Sequence, residues 1–314
     1  VIRVARTDPD ASIAGALLES GKPGITRLVT ITAGVGFLLA AFARTGWTTP
    51  DLALSATGAI LGTALASSGA NALNMWYEAD ADGRMHRTRH RPIPSGRMTR
   101  RDTMKLGALL SVLGVLVTLL LAGSAAALIC LFCVVSYVML YTPMKSRTVW
   151  NTLLGTIPGA LPPMIGAAAA SDAPGAGALA SPLGWSLVAL MVVWQIPHFL
   201  AIAWMYREDY ARGGLRMLPV IDRDGRVTAW VIVVTAALLI PASLLPALAA
   251  PGLLGWATLG AAAATGVIYL ALCLRLARTR TDRDARSVFV ASIIHLPVLL
   301  FVMVIEGGLG LALG

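Results

Sequence analysis

The chain has 314 residues, 57% of them apolar and only 13% charged, with a formal net charge of +9 and a mean hydropathy of +0.75. That composition excludes an ordinary soluble globular domain and places the chain among polytopic membrane proteins. The basic residues fall between apolar segments, so anionic headgroups or a phosphorylated substrate are the expected partners, and nucleic acid is not.

At roughly 20 residues per crossing, the length accommodates about nine transmembrane helices in an all-α bundle. Residues 1–24 form a polar tail with a short surface helix, and residues 25–314 a single transmembrane domain. The first three spans are expected at about 25–43, 52–76 and 106–122. The next three follow at about 126–141, 152–170 and 183–205, and the last three at about 227–249, 253–276 and 288–313. These apolar runs are too long and too uniform for barrel strands. Cys130, Cys133 and Cys273 all lie in apolar segments and indicate no disulfide framework.

Nine crossings put 24 of the 25 lysines and arginines on one side and leave Arg44 alone on the other. The positive-inside rule makes the heavy side cytoplasmic, together with the N-terminus and the acid-bearing loops.

The chemistry concentrates in Asn74–Arg97, NMWYEADADGRMHRTRHRPIPSGR, where carboxylates end a long apolar segment and arginines follow. Charges so placed are costly and mark a functional site. Asn74, Glu78 and Asp82 are four apart, so successive members are offset by only about 40° on a helix and share one face. Asp80 points elsewhere on a regular helix. Three hard oxygen donors suit Mg²⁺, which completes its shell with water and phosphate oxygens. The alternative is a solvated helix end whose acids pair with neighbouring arginines.

Arg84, Arg87, Arg89 and Arg91 carry forked guanidinium groups that match phosphate oxygens, with Arg87 and Arg91 the leading pair. Acids for a metal beside arginines for an anion suggest a metal diphosphate. Two more loops on the same side add candidates: Tyr141, Lys145 and Arg147 in one, Glu208, Asp209 and Arg216 in the other. They are expected to converge over one cavity.

The pattern N-x3-[D/E]-x-D-x-D followed by M-x-R-T-x-x-R-P-x-x-x-G, here Asn74–Gly96, resembles the first acidic motif of the UbiA-type intramembrane prenyltransferases. YTPMKSRTVWNTLLGTIPGALPPMIG (Tyr141–Gly166) and WQIPHFLAIAWMYREDYARGGLRMLPV (Trp194–Val220) are similar to the protohaem IX farnesyltransferase branch. The resemblance covers roughly residues 25–310. It implies an inner-membrane enzyme that transfers farnesyl from farnesyl diphosphate to a vinyl group of haem B, with water adding to give haem O. A haem A synthase is a candidate partner.

Two departures stand out. Met75 replaces an acid or amide common after the motif asparagine, and the second D-x3-D of the superfamily reads Asp209 and Gly213 here. The implied site holds Mg²⁺ on Asn74, Glu78, Asp82 and Asp209. Lys145, Tyr141 and Asp209 serve catalysis, and Arg87, Arg91, Arg147, Arg216 and His198 bind diphosphate or haem. His198 and His295, both within expected spans, are candidates to meet the iron or to hydrogen-bond inside the bundle. The rivals are prenylation of a quinone or chlorin precursor and, in a different class, transport through broken helices. Transporters, however, place charged sites near the bilayer midplane, whereas these acids lie at one interface.

Overall fold

A computed structural model describes residues 13–44, 48–171 and 175–313. They are almost entirely helical, and nine of the described helical segments are long and apolar enough to cross a bilayer. The protein is a multi-pass membrane protein.

A short helix α1 (Ile13–Ser20) precedes the first crossing, α2 (Pro23–Phe42). Helix α3 (Thr49–Arg84) is the longest at 36 residues, so the apolar span and the acidic motif form one continuous element. The motif acids therefore keep helical spacing to the end. Helix α4 (Arg100–Ala122) starts at Thr99, whose hydroxyl accepts from Asp102 N at 3.0 Å, an N-cap that satisfies one orphan amide. Its buried residues Thr103, Gly107, Ser111, Gly114 and Thr118 recur every three or four positions. This small-residue face lets α3 and α4 approach closely, which is how helices associate without a hydrophobic driving force.

Helix α5 (Ser124–Val135) runs into a π-helical stretch, Ser136–Tyr141, and a last turn, Thr142–Met144. A π-turn inserts an extra residue and rotates the remainder of the helix, and such turns collect at functional sites. Here it sets the direction of Tyr141 and Lys145. The fifth crossing is two helices, α6 (Asn151–Ala160) and α7 (Pro162–Ala169), because Pro162 and Pro163 cannot continue the hydrogen-bond ladder. Helices α8 (Pro182–Met205), α9 (Arg207–Gly213), α10 (Arg226–Ala249), α11 (Trp256–Thr279) and α12 (Asp282–Leu313) complete the chain.

The sequence expectation differs mainly at edges. Span two ends eight residues beyond the expected Trp76, at Arg84, because the polar acids are still helical. Span five is broken at Leu161. The loop after α8 contains a helix of its own. The loops following α3, α5, α8 and α11 gather at one end: Arg84 donates to the Gly213 carbonyl at 2.9 Å, Arg216 N to the Lys145 carbonyl at 2.7 Å, and Arg207 pairs with Asp282 at 2.5 Å. The expected grouping of these loops on one side thus holds.

Candidate active site

The spacing of Asn74, Glu78 and Asp82 translates into burial. Asn74 and Asp82 have no exposed surface and Glu78 is 7% exposed, whereas the side chain of Asp80 is 79% exposed and pairs with Arg100. One face of α3 therefore carries the three oxygen-bearing groups inward, with Asp80 outside it.

Each inward group meets a cation or a dipole. The Lys22 ammonium donates to Asn74 Oδ1, and Asn74 Nδ2 donates to Thr142 Oγ1 at 3.0 Å. Lys145 Nζ lies 2.7 Å from Glu78 Oε1. Arg91 donates to both oxygens of Asp82 at 2.8 Å. Lys145 also sits 4.6 Å from the centroid of the Tyr141 ring, which lies 5.5 Å from that of Tyr137. Gly155 makes room for Tyr141: a Cβ there would come within 2.7 Å of the ring.

Lys22 is the residue that sequence reasoning missed. It adopts the left-handed conformation (φ 47°, ψ 69°) between Gly21 and Pro23, an uncommon state for a non-glycine residue. The turn is anchored from α3, where Asn71 Nδ2 donates to the Gly21 carbonyl at 3.3 Å while its Oδ1 accepts from the Tyr137 hydroxyl at 3.1 Å. Burial, with help from the Arg91 and Lys145 charges, pulls the Lys22 pKa down to about 7 against the opposing carboxylates Glu78 and Asp82. For Lys145 burial also disfavours the charge, but Glu78 and the two tyrosines outweigh it and its pKa is raised.

Asp209 is expected as a metal ligand and a catalytic group closing over the acids of α3. Its carboxylate accepts from the backbone amides of His86 (2.9 Å) and Arg87 (3.1 Å) and pairs with Arg212 at 2.5 Å. Burial raises its pKa, yet Arg212 and the two amides more than compensate and hold it below the usual carboxylate range. Asp209 is a latch that ties α9 to the turn after α3. The neighbouring departure has a steric counterpart, since a Cβ on Gly213 would meet Met85 at 3.0 Å. No group of three or more acidic, histidine or cysteine side chains converges for a metal among the described residues.

The remaining candidates occupy the rim. Arg87 is exposed, lying 4.5 Å from the Tyr206 ring centroid and donating to the Tyr210 hydroxyl at 3.1 Å. Arg147 and Arg216 are also exposed, and Arg216 donates to the Arg147 carbonyl at 3.2 Å. Asn151 holds this edge by donating to the Thr148 and Arg216 carbonyls at 2.6 and 2.9 Å. The structure does not bring His198 to the arginines. It lies within α8 beside Trp194, Phe289 and Ser292.

A carboxylate face ringed by cations at an apolar bundle's edge can hold a phosphorylated head while a hydrocarbon tail lies among the helices. Residues 28–297 match the UbiA prenyltransferase family. The chain belongs to that family. Among its relatives, a protoheme IX farnesyltransferase of Solibacter usitatus is 43% identical over 92% of this chain and 97% of its own. One of Opitutus terrae is 41% identical over 92% and 93%. Solved structures share the fold: a digeranylgeranylglyceryl phosphate synthase superposes with a TM-score of 0.74 at 15% identity, covering 94% of this chain and 98% of that one. A UbiA homologue from Aeropyrum pernix K1 gives 0.64 at 18% identity, covering 92% and 98%. A UbiA homologue from Archaeoglobus fulgidus, bound to DMAPP and Mg²⁺, gives 0.55 at 14% identity, covering 92% and 99%.

Proposed function

We propose that this family member is a protohaem IX farnesyltransferase. It transfers the farnesyl group of farnesyl diphosphate to a vinyl group of haem B and adds water, releasing diphosphate and haem O. The observation that carries this reading is the buried Asn74, Glu78 and Asp82 face ringed by Lys22, Lys145 and Arg91, in a chain 43% identical to a protoheme IX farnesyltransferase.

The donor set fits Mg²⁺. Two buried carboxylates and a carboxamide are of the hard-oxygen kind the ion takes, and it leaves positions for water and phosphate oxygens. The protein's own cations stand against these groups. Mg²⁺ held by Asn74, Glu78 and Asp82 would supply charge neutralisation to the diphosphate.

The protein's own groups do the rest. Lys22, Lys145 and Arg91, with Arg87 from the rim, bind diphosphate oxygens and stabilise the charge that develops as the carbon–oxygen bond breaks with its electron pair leaving on diphosphate. The rings of Tyr141 and Tyr137 offer π faces to the allylic cation. The terminal vinyl carbon of haem B then forms a bond to farnesyl C1. The resulting cation beside the porphyrin takes the oxygen of water, and one proton is released. The apolar helices hold the isoprenoid and exclude stray water from the first cation. Arg147 and Arg216 are rim groups for the haem propionates. The site faces the cytoplasm across the cell's inner membrane, consistent with the lysine and arginine asymmetry, and a haem A synthase is the proposed recipient of the product.

Replacing Glu78 and Asp82 together by alanine tests the assignment. Turnover to haem O is expected to vanish while the protein stays in the membrane, and a double variant that still makes haem O would overturn it.

A further inference from the structure

Asn74 on α3 meets Thr142 just beyond the π-turn, and their hydrogen bonds decide which way the carboxamide of Asn74 faces. Asn74 Nδ2 donates to Thr142 Oγ1 at 3.0 Å, and Thr142 Oγ1 donates its only proton to the Tyr137 carbonyl at 2.8 Å. Toward Asn74 that hydroxyl is therefore an acceptor, and only an amide N–H can face it. The other end of the carboxamide agrees. Its Oδ1 accepts from the Lys22 ammonium, a group that carries donors alone. Turning the amide over would set its NH2 against the ammonium and its oxygen against an oxygen whose proton is already committed. Asn74 has no exposed surface and Thr142 is 2% exposed, so water does not relieve such a mismatch.

The π-turn makes this contact. A threonine in an α-helix directs its hydroxyl to a carbonyl three or four residues back. Thr142 reaches the one five back, and its backbone amide bonds the same Tyr137 oxygen. Tyr137 is held at its other end as well, because its hydroxyl donates to Asn71 Oδ1 at 3.1 Å. Asn71 Nδ2 in turn donates to the Gly21 carbonyl at 3.3 Å, one residue before Lys22. Gly21–Lys22, Asn71–Asn74 and Tyr137–Thr142 thus close a ring of hydrogen bonds across the entry to α2, the buried face of α3 and the end of the α5 segment. That ring presents one carboxamide oxygen, Asn74 Oδ1, beside the inward acids Glu78 and Asp82.

We propose that Thr142 is a positioning residue for the metal: its hydroxyl sets the Asn74 carboxamide so that Oδ1, and not Nδ2, is offered to the ion. An outer group that orients a ligand in this way contributes to metal affinity without touching the metal. The inference rests on the metal–diphosphate reading above. Oδ1 already accepts one cation, the Lys22 ammonium, and Mg²⁺ asks for the same hard oxygen acceptor.

The test uses the full chain in lipid nanodiscs with Mn²⁺, a paramagnetic ion for the same oxygen donors, titrated by electron paramagnetic resonance in the presence of an unreactive thio analogue of farnesyl diphosphate. Thr142→Val keeps the shape of the side chain and removes the hydroxyl, and it is expected to weaken Mn²⁺ binding about 10–100-fold. Thr142→Ser restores the hydroxyl and should bind Mn²⁺ nearly as the wild type does. The double variant separates orientation from general packing. In an Asn74→Ala background, Thr142→Val should cost nothing further, because no carboxamide is left to orient, whereas a merely structural hydroxyl would weaken binding by the same factor in either background. Should the valine variant fail to purify, Thr142→Ala removes the same hydroxyl and is read in the same way. Wild-type Mn²⁺ affinity in the hydroxyl-free variants, or a penalty that persists undiminished in Asn74→Ala, would overturn the proposal. A wild type that binds no Mn²⁺ with the diphosphate analogue contradicts the metal–diphosphate reading itself, whereas binding that is indifferent to Thr142 contradicts this inference alone.

Discussion

Lys145 Nζ lies 2.7 Å from Glu78 Oε1, with the two side chains only 14% and 7% exposed. A pair so withdrawn from water is costly to break, because removing one partner strands a buried charge at about 3–5 kcal/mol. Glu78→Met or Lys145→Met alone is therefore expected to lower thermal stability in detergent by that order and to abolish turnover. The double variant should recover much of the stability and none of the activity. Parallel melting curves and haem extraction separate the structural role from the catalytic one, and activity in the double variant would refute the catalytic one.

Lys22 donates to Asn74 Oδ1 beside the same acids. Losing a charged hydrogen bond to substrate costs about 1.5–3 kcal/mol, so Lys22→Met should raise KM for farnesyl diphosphate roughly 10–100-fold, with Lys22→Arg much milder. An unchanged KM in Lys22→Met would place Lys22 outside the diphosphate site.

If Asp209 is a latch and not a metal ligand, Asp209→Asn should leave the Mg²⁺ concentration for half-maximal activity unchanged, whereas Asp82→Asn should raise it. The latch also predicts a pH dependence. The folded pKa of Asp209 is depressed, by Arg212 and the amides of His86 and Arg87 against the effect of burial. Its stabilising contribution is thus full above the unfolded value of about 3.9 and fades as pH falls through the folded value. Protection of the His86 and Arg87 amides against hydrogen exchange, relative to their intrinsic rates at each pH, should fall in that acid window in the wild type. In Asp209→Asn that protection should be low throughout.

Gly155 leaves no space beside Tyr141. Gly155→Ala is expected to cost about 1–3 kcal/mol by overpacking and to lower kcat by displacing Tyr141 and Lys145, measurable by unfolding and steady-state kinetics. A silent substitution would show that the ring's position is not critical.

The acid face was legible because helical spacing is geometric: Asn74, Glu78 and Asp82 sort inward and Asp80 outward without tertiary information. The spans were legible from apolar run length. Lys22 was not, since a lysine before a proline at the start of an apolar run reads as a polar tail. Its left-handed turn and its anchor on Asn71 are tertiary facts. The surroundings of Asp209 were not legible either. Its motif position is that of a superfamily metal ligand, but nothing in the local sequence tells that the amides after α3 fold back onto it. The π-turn Ser136–Tyr141 that orients Tyr141 likewise left no pattern in an apolar run.

The most direct test of the farnesyl transfer is mass analysis of haems extracted after incubating the purified protein in liposomes with haem B, farnesyl diphosphate and Mg²⁺. Haem O, heavier than haem B by one farnesyl group and one hydroxyl, is the predicted product, absent when Glu78 and Asp82 are replaced. Recovery of haem B alone, with a prenylated quinone precursor formed when one is supplied, would contradict it.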